Sequence, residues 1–244
     1  MAEFYQSIAH HYDDIFPLSD MLRKFLLSLG ISEKDHVLDI GCATGEVALF
    51  VAQSSASATG IDLDPDLIAI AQSKRQDQRA GNVLFRIGDM ERLDTMFSPG
   101  EFRFALCLGN TLVHLQSPEV IDGFFRKVAN VLSDGGVFVF QILNYEKILA
   151  RKTIRLPVID NEKIIFERQY DHERHSPHLA FDTRLTIKAT SRVIANSIDL
   201  YPLQREEIMG LPGTKQFRSC QFLGGFDGKA FSEEDDLLIG ILQT

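Results

Sequence analysis

Val37-Leu38-Asp39-Ile40-Gly41-Cys42-Ala43-Thr44-Gly45-Glu46 is the stretch on which the fold turns. His36–Ile40 is a short apolar run entering a glycine turn, as a buried parallel strand does. Val47 to Val51 then continues as a helix. The loop therefore sits at the carboxyl end of a strand, where open α/β sheets bind ligands. Gly41 and Gly45 let the backbone approach a ligand where side chains would clash. The helix start after Gly45 offers free N–H groups to a carboxylate. A plain tight turn between strand and helix reads the same way. The Gly-x-x-x-Gly spacing differs from the Gly-x-Gly-x-x-Gly that cradles a pyrophosphate in dinucleotide enzymes.

Outward from this loop the alternation continues. Ala58 to Leu63 is the next strand. Asp64 with Pro65 behind it is a helix start, and Leu67, Ile70 and Ala71 give that helix its apolar face. Val83 to Ile87 and Phe104 to Leu108 are further strands. Ser117-Pro118-Glu119 opens a helix with Ile121, Phe124, Phe125, Val128 and Leu132 inward. Gly135-Gly136 is expected to close it before a fifth strand, Val137 to Ile142. On the amino-terminal side, Phe4, Ile8, Tyr12 and Ile15 have helical spacing up to Pro17, and a second helix runs from Ser19 to Ser28. Strand–helix repetition predicts a doubly wound, mostly parallel, Rossmann-like α/β sheet. After about residue 150 the period changes to two: Lys163 to Tyr170, Leu179 to Ala189 and Val193 to Tyr201 predict an antiparallel β insertion. A short helix at Leu203 to Met209 and strands at Gln216 to Phe222 and Leu237 to Leu242 follow. The expected organisation is one main domain, 1–150 with 203–244, and an insertion, 151–202, acting as a lid.

With 244 residues, 45% of them hydrophobic and 24% charged, the chain can bury one large core. A formal net charge of −9 repels phosphate backbones, which argues against a nucleic-acid partner. No apolar run reaches the roughly 20 residues that cross a bilayer, and Met1-Ala2-Glu3-Phe4 does not read as a signal peptide. Cys42, Cys107 and Cys220 are too scattered for a CxxC site and suit a reducing compartment. The expectation is a cytoplasmic protein, monomer or homodimer, without a membrane partner.

The chemistry-bearing residues fall at successive strand ends. Asp62, in Gly60-Ile61-Asp62, follows the glycine loop at about the distance of a ribose-binding acid, and it can accept both ribose hydroxyls. Asp64 is assigned to capping, which leaves Asp62 free. Asp89, in Gly88-Asp89-Met90, can accept an exocyclic amine, with Met90 against a ring; a strand-ending turn explains it as well. Asp-Ile-Gly-x-x-x-Gly, Gly-Ile-Asp and Gly-Asp-Met in this order resemble the class I S-adenosylmethionine-dependent methyltransferases, from about Tyr5 to Tyr145 and again in the last two strands. The resemblance implies a seven-stranded sheet whose last strand is inserted antiparallel. It implies S-adenosylmethionine as cofactor, at Asp39, Gly41, Gly45, Asp62, Asp89 and Met90.

Cys107-Leu108-Gly109-Asn110-Thr111-Leu112-Val113-His114-Leu115 is similar to a segment of the glycine and glycine/sarcosine N-methyltransferases. Asn144-Tyr145 with Ile148-Leu149 resembles a second. By that likeness Leu108 approaches the cofactor, Asn110 orients the acceptor, and His114 and Tyr145 are secondary catalytic candidates. His114 is also readable as a structural histidine bonded to a backbone carbonyl. Tyr5 and Tyr12 are placed over the cofactor, and Arg23 on its carboxylate. Those enzymes carry an arginine just before Asn-Tyr for the substrate carboxylate. Leu143 stands there, which argues against glycine, with Arg151, Arg155 and Arg184 as possible replacements. The expected activity is methyl transfer to a small molecule, at nitrogen rather than oxygen. A dinucleotide oxidoreductase lacks its Tyr-x-x-x-Lys here; O-methylation of a small metabolite and a non-catalytic S-adenosylmethionine-binding protein are the remaining rivals. Asp171 to His178 contains three histidines at intervals of three, but Pro177 favours a hairpin loop, so no metal site is assigned.

Overall fold

The computed structural model describes residues 2–150, 153–171 and 177–244. The amino-terminal segment is α1 (Ala2–Ile8), a 3₁₀ turn at Ala9–His11 and α2 (Tyr12–Ile15), so the single expected helix is broken into two. It is followed by α3 (Asp20–Ser28), capped by Ser19, whose Oγ accepts the Leu22 N–H. Then come β1 (His36–Ile40), α4 (Glu46–Val51), β2 (Ser57–Asp62), α5 (Pro65–Asp77), β3 (Val83–Ile87), α6 (Leu93–Met96), β4 (Phe102–Cys107), α7 (Pro118–Val131), β5 (Leu132–Leu143) and α8 (Tyr145–Leu149). The insertion contributes β6 (Thr153–Arg155), β7 (Ile159–Asp160), β8 (Ile164–Asp171), β9 (Leu179–Ile187) and β10 (Arg192–Leu200). The chain ends with α9 (Arg205–Gly210), β11 (Ser219–Leu223) and β12 (Leu237–Gln243).

The main sheet has the order β11-β12-β5-β4-β1-β2-β3. The five strands β1 to β5 pair in parallel, while β12 enters antiparallel between β11 and β5. This is the expected Rossmann-like sheet with its last strand inserted. The caps that the sequence announced are formed: Asp64 Oδ1 accepts from Asp66 and Leu67, and Ser117 Oγ from Val120. Gly135-Gly136 does not end a helix. α7 stops at Val131, and the two glycines lie inside β5, where its register against β4 shifts. Positive φ at Gly135 lets the extended chain kink there, which a stop signal does not distinguish from a cap.

The insertion sheet runs β10-β9-β8-β6, with β7 also on β8. Ile164, Phe166, Tyr170, Leu179, Phe181 and Leu185 of that sheet join the core formed by α7, β4 and β5. Phe166 packs on Phe16 next to α2, and Tyr170 on Tyr145. The insertion is thus fastened to the amino-terminal segment and to the carboxyl edge of the main sheet. No helix among the described residues is long and apolar enough to cross a membrane.

Candidate functional site: a cleft at the carboxyl edge of the parallel sheet

The first link in the site is the loop after β1. Gly41 has φ +71°, and a Cβ there would lie 2.4 Å from Thr111 Cγ2. Gly45 has φ +84°, and its Cβ would lie 2.4 Å from the Phe85 ring. Glycine is therefore required by the protein's own packing and by left-handed backbone, beyond any approach of a ligand. The amides are also used internally. Gly41 and Cys42 donate to the Ile61 carbonyl at 2.8 and 2.9 Å, and Gly45 to Cys42 at 2.8 Å. Ala43 donates to Asp62 Oδ2 at 2.9 Å. Four amides of the loop, those of Gly41, Cys42, Ala43 and Gly45, are thus already bonded within the protein.

The sequence left Asp62 free, but the structure engages both of its oxygens. Its other oxygen accepts the Asp64 N–H at 3.0 Å. It ties the ends of β1 and β2 together while facing the cleft. Burial raises its pKa, and the backbone N–H donors oppose that. Asp89 likewise does two things: Oδ1 caps the turn after β3 by accepting from Glu91 at 2.9 Å, and the residue lines the cleft.

The cleft brings together Tyr5, Tyr12, Gly41, Asp62, Asp89, Met90 and His114 of the expected residues. Ala43, Leu63, Leu67, Gly109, Thr111 and Leu115 also line it. These were missed although each lies within a few residues of a named one; Leu63, 49% exposed directly after Asp62, was the legible signal. Asp64 and Glu91 complete a set of four carboxylates with Asp62 and Asp89, and among the described lining residues none is Lys or Arg.

Six expected residues lie elsewhere. Asp39 is 3% exposed beneath the loop, where it takes the Ala48 N–H; burial raises its pKa to about 7. Gly45 caps α4. Leu108 is buried, and its carbonyl accepts the Thr111 hydroxyl at 2.7 Å. Arg23 turns away: its guanidinium lies over the Phe50 ring at 5.1 Å and Nε donates to the Leu18 carbonyl. Asn110 donates to the Tyr145 hydroxyl at 2.9 Å and accepts the Leu143 N–H at 3.0 Å. Its side chain anchors the end of β5, and Tyr145, 1% exposed, shares that buried network. Asn144 is a helix cap, accepting from Glu146 and donating to the Glu233 and Asp235 carbonyls.

His114 does not bond a backbone carbonyl. Its Nε2 meets the Tyr5 hydroxyl at 2.8 Å, and Nδ1 is buried without a partner. Burial lowers its pKa to about 4, so the ring is neutral at pH 7. Tyr5 is thereby held over the cleft. The rest of the amino-terminal segment is tied down around it. Asp13 accepts the Thr44 hydroxyl and pairs with Lys74, Asp14 pairs with Lys163 at 2.8 Å, and Ser7 meets Asn196 at 2.8 Å.

Of the candidate carboxylate partners, Arg155 and Arg184 lie on the insertion away from this cleft, and Arg151 lies outside the described residues. His172 and His175 also lie outside them; His178 Nε2 meets the Gln116 carbonyl at 2.9 Å.

The fold thus sets this cleft at the carboxyl ends of β1 to β3. Residues 37–136 match a family model described as a methyltransferase domain. The chain is 29% identical over 146 residues to YqeM of Bacillus subtilis, covering 59% of this chain and 57% of that protein. It thus spans little more than half of such a relative. Two solved structures share the fold. One is an S-adenosylmethionine-dependent methyltransferase from Clostridium acetobutylicum, with TM-score 0.78, 15% identity and 98% coverage of both chains. The other is the CcbJ methyltransferase from Streptomyces caelestis, with TM-score 0.78, 18% identity and coverage of 97% and 96%. Residues 37–136 are thus similar to a methyltransferase domain, and the chain has the fold of these two solved structures.

Proposed function

We propose that the chain is an S-adenosylmethionine-dependent methyltransferase that methylates nitrogen on a small acceptor. The observation that carries this is the charge of the cleft. Asp62, Asp64, Asp89 and Glu91 line it with no described Lys or Arg. A ligand with sulfonium and ammonium charges fits such a lining, and a pyrophosphate is repelled by it. Asp62 and Asp89, at neighbouring strand ends, suit ribose hydroxyls and an exocyclic amine. Leu63 and Met90 offer apolar contact to a ring. Bound S-adenosylmethionine supplies an already activated methyl group, so the protein's task is alignment and exclusion of water.

The cover for that task is the amino-terminal segment with the insertion, residues 151–202, acting as a lid. His114 holds Tyr5 in place and orients the near wall. As a base with pKa about 4, it is poorly matched to removing a proton from an alcohol at neutral pH. An amine that enters neutral has its lone pair ready and needs no such help. This favours nitrogen over oxygen, in line with the resemblance to the glycine and glycine/sarcosine enzymes. Glycine is disfavoured as the acceptor, because Leu143 stands where the glycine and glycine/sarcosine enzymes carry the arginine that pairs its carboxylate.

Mass spectrometry tests this. The protein is incubated with S-adenosylmethionine and matched sets of amines, amino acids and alcohols. The expected product is an amine heavier by about 14 Da, the replacement of H by CH₃, with no methylated amino acid. Methylation of the alcohols alone contradicts the nitrogen assignment. Cofactor binding without turnover on any set replaces the enzyme by a binding protein.

A further inference from the structure

The insertion carries a second cavity, of about 340 Å³, unlike the first in charge. It opens where the partner strand of β8 is interrupted. β6 pairs with Gln169 to Asp171, and β7 pairs with Ile165 and Phe166. Between them Pro157 has no N–H to offer the ladder, and no strand is formed from Leu156 to Val158. Arg155, Arg168 and Arg184 line the opening, with Val158, Glu167, Asp182 and Thr183.

The arginines are incompletely neutralised. Arg168 donates Nη2 to the Pro157 carbonyl at 2.9 Å, but its Nε is buried without a partner. Arg155 donates to the neutral Gln169 side chain at 3.1 Å. Among the described residues neither has a carboxylate partner. Arg184 lies 3.8 Å from Glu167 in an exposed cross-strand pair, a contact worth little in water. A guanidinium held partly out of water with unused N–H groups calls for an anion, which its planar fork can meet in a bidentate way. Three arginines face two carboxylates, Glu167 and Asp182, so the lining keeps an excess of positive charge on a protein with net charge −9.

We propose that this groove between β6, β7 and β8 binds an anionic small molecule through a phosphate or carboxylate group. The site is independent of the cofactor cleft and of methyl transfer. Calorimetric titrations of the full chain with pyrophosphate and with citrate test it, alongside Arg168→Gln and Arg155→Gln/Arg184→Gln. The expected result is saturable binding of at least one anion, weakened tenfold or more in both variants, with S-adenosylhomocysteine binding unchanged. Pyrophosphate binding alone assigns a phosphate ligand, and citrate binding alone a carboxylate. If Arg168→Gln fails to fold, the double variant decides, since its side chains lie at the surface. Absence of saturable binding for both anions overturns the proposal, as does wild-type affinity in the double variant.

Discussion

At the carboxyl edge of β1 to β3, the carboxylates that face the cleft also hold the backbone together. On β8 and β9, charged side chains hang from a ladder that does not depend on them. Asp62 accepts two backbone N–H groups from two different loops. Arg168 and Arg184 stand on strands already paired along their whole length. In the first region recognition and folding share the same atoms. In the second they are separable, and substitutions should divide accordingly.

The largest expected effect is at Asp62. Asp62→Ala removes both acceptors and the cleft carboxylate, so affinity for S-adenosylhomocysteine should fall about a hundredfold, with a lower Tm. A change in affinity alone would put Asp62 with the insertion's separable residues. Gly45→Ala comes next. Its Cβ meets the Phe85 ring at φ +84°, which should cost about 2–3 kcal/mol of stability, read as a lower Tm. Partial rescue by Phe85→Leu would locate the cost in that contact. Leu63→Asp sharpens the comparison from the other side. Leu63 is 49% exposed, so folding should change by under about 0.5 kcal/mol, while cofactor affinity falls about tenfold.

Acid titration separates two buried groups of the first region. His114 has a folded pKa of about 4, below its ordinary value of 6.5. The unfolded chain therefore binds more protons between these values, and stability is lost as pH falls from 6.5 towards 4. Asp39 is raised from 3.8 to about 7. There the folded chain holds the extra proton, and stability is lost as pH rises from 4 towards 7. His114→Gln should remove the first slope and Asp39→Asn the second, in denaturant midpoints measured across pH 4 to 7. The smallest effect is expected at Val193, 42% exposed on the outer strand β10. Val193→Lys should leave both Tm and cofactor affinity unchanged within error.

The backbone of both regions was legible because periodicity and capping are local. Ser19, Asp64 and Ser117 announce helix starts within three residues of the bond they make, and alternation marked β8 to β10. Gly135-Gly136 misled because glycine punctuates strands as well as helices. Side-chain destinations were less legible. Arg23 turns to Phe50, and Asn110 turns to Leu143 and Tyr145, because packing partners compete with the cleft for long polar groups. The Tyr5–His114 bond spans 109 residues, a pairing for which no local pattern exists. The second role of Asp62 was hidden for the same reason, since the amide it accepts belongs to another strand's loop.

The central claim is that an acidic cleft beside a compact glycine turn selects a nucleoside cofactor without phosphates over a dinucleotide. Parallel calorimetric titrations of the wild-type chain with S-adenosylhomocysteine and with NADH test it most directly. The account predicts stoichiometric binding of S-adenosylhomocysteine and no binding of NADH. Binding of NADH, or the absence of S-adenosylhomocysteine binding in folded protein, would contradict it.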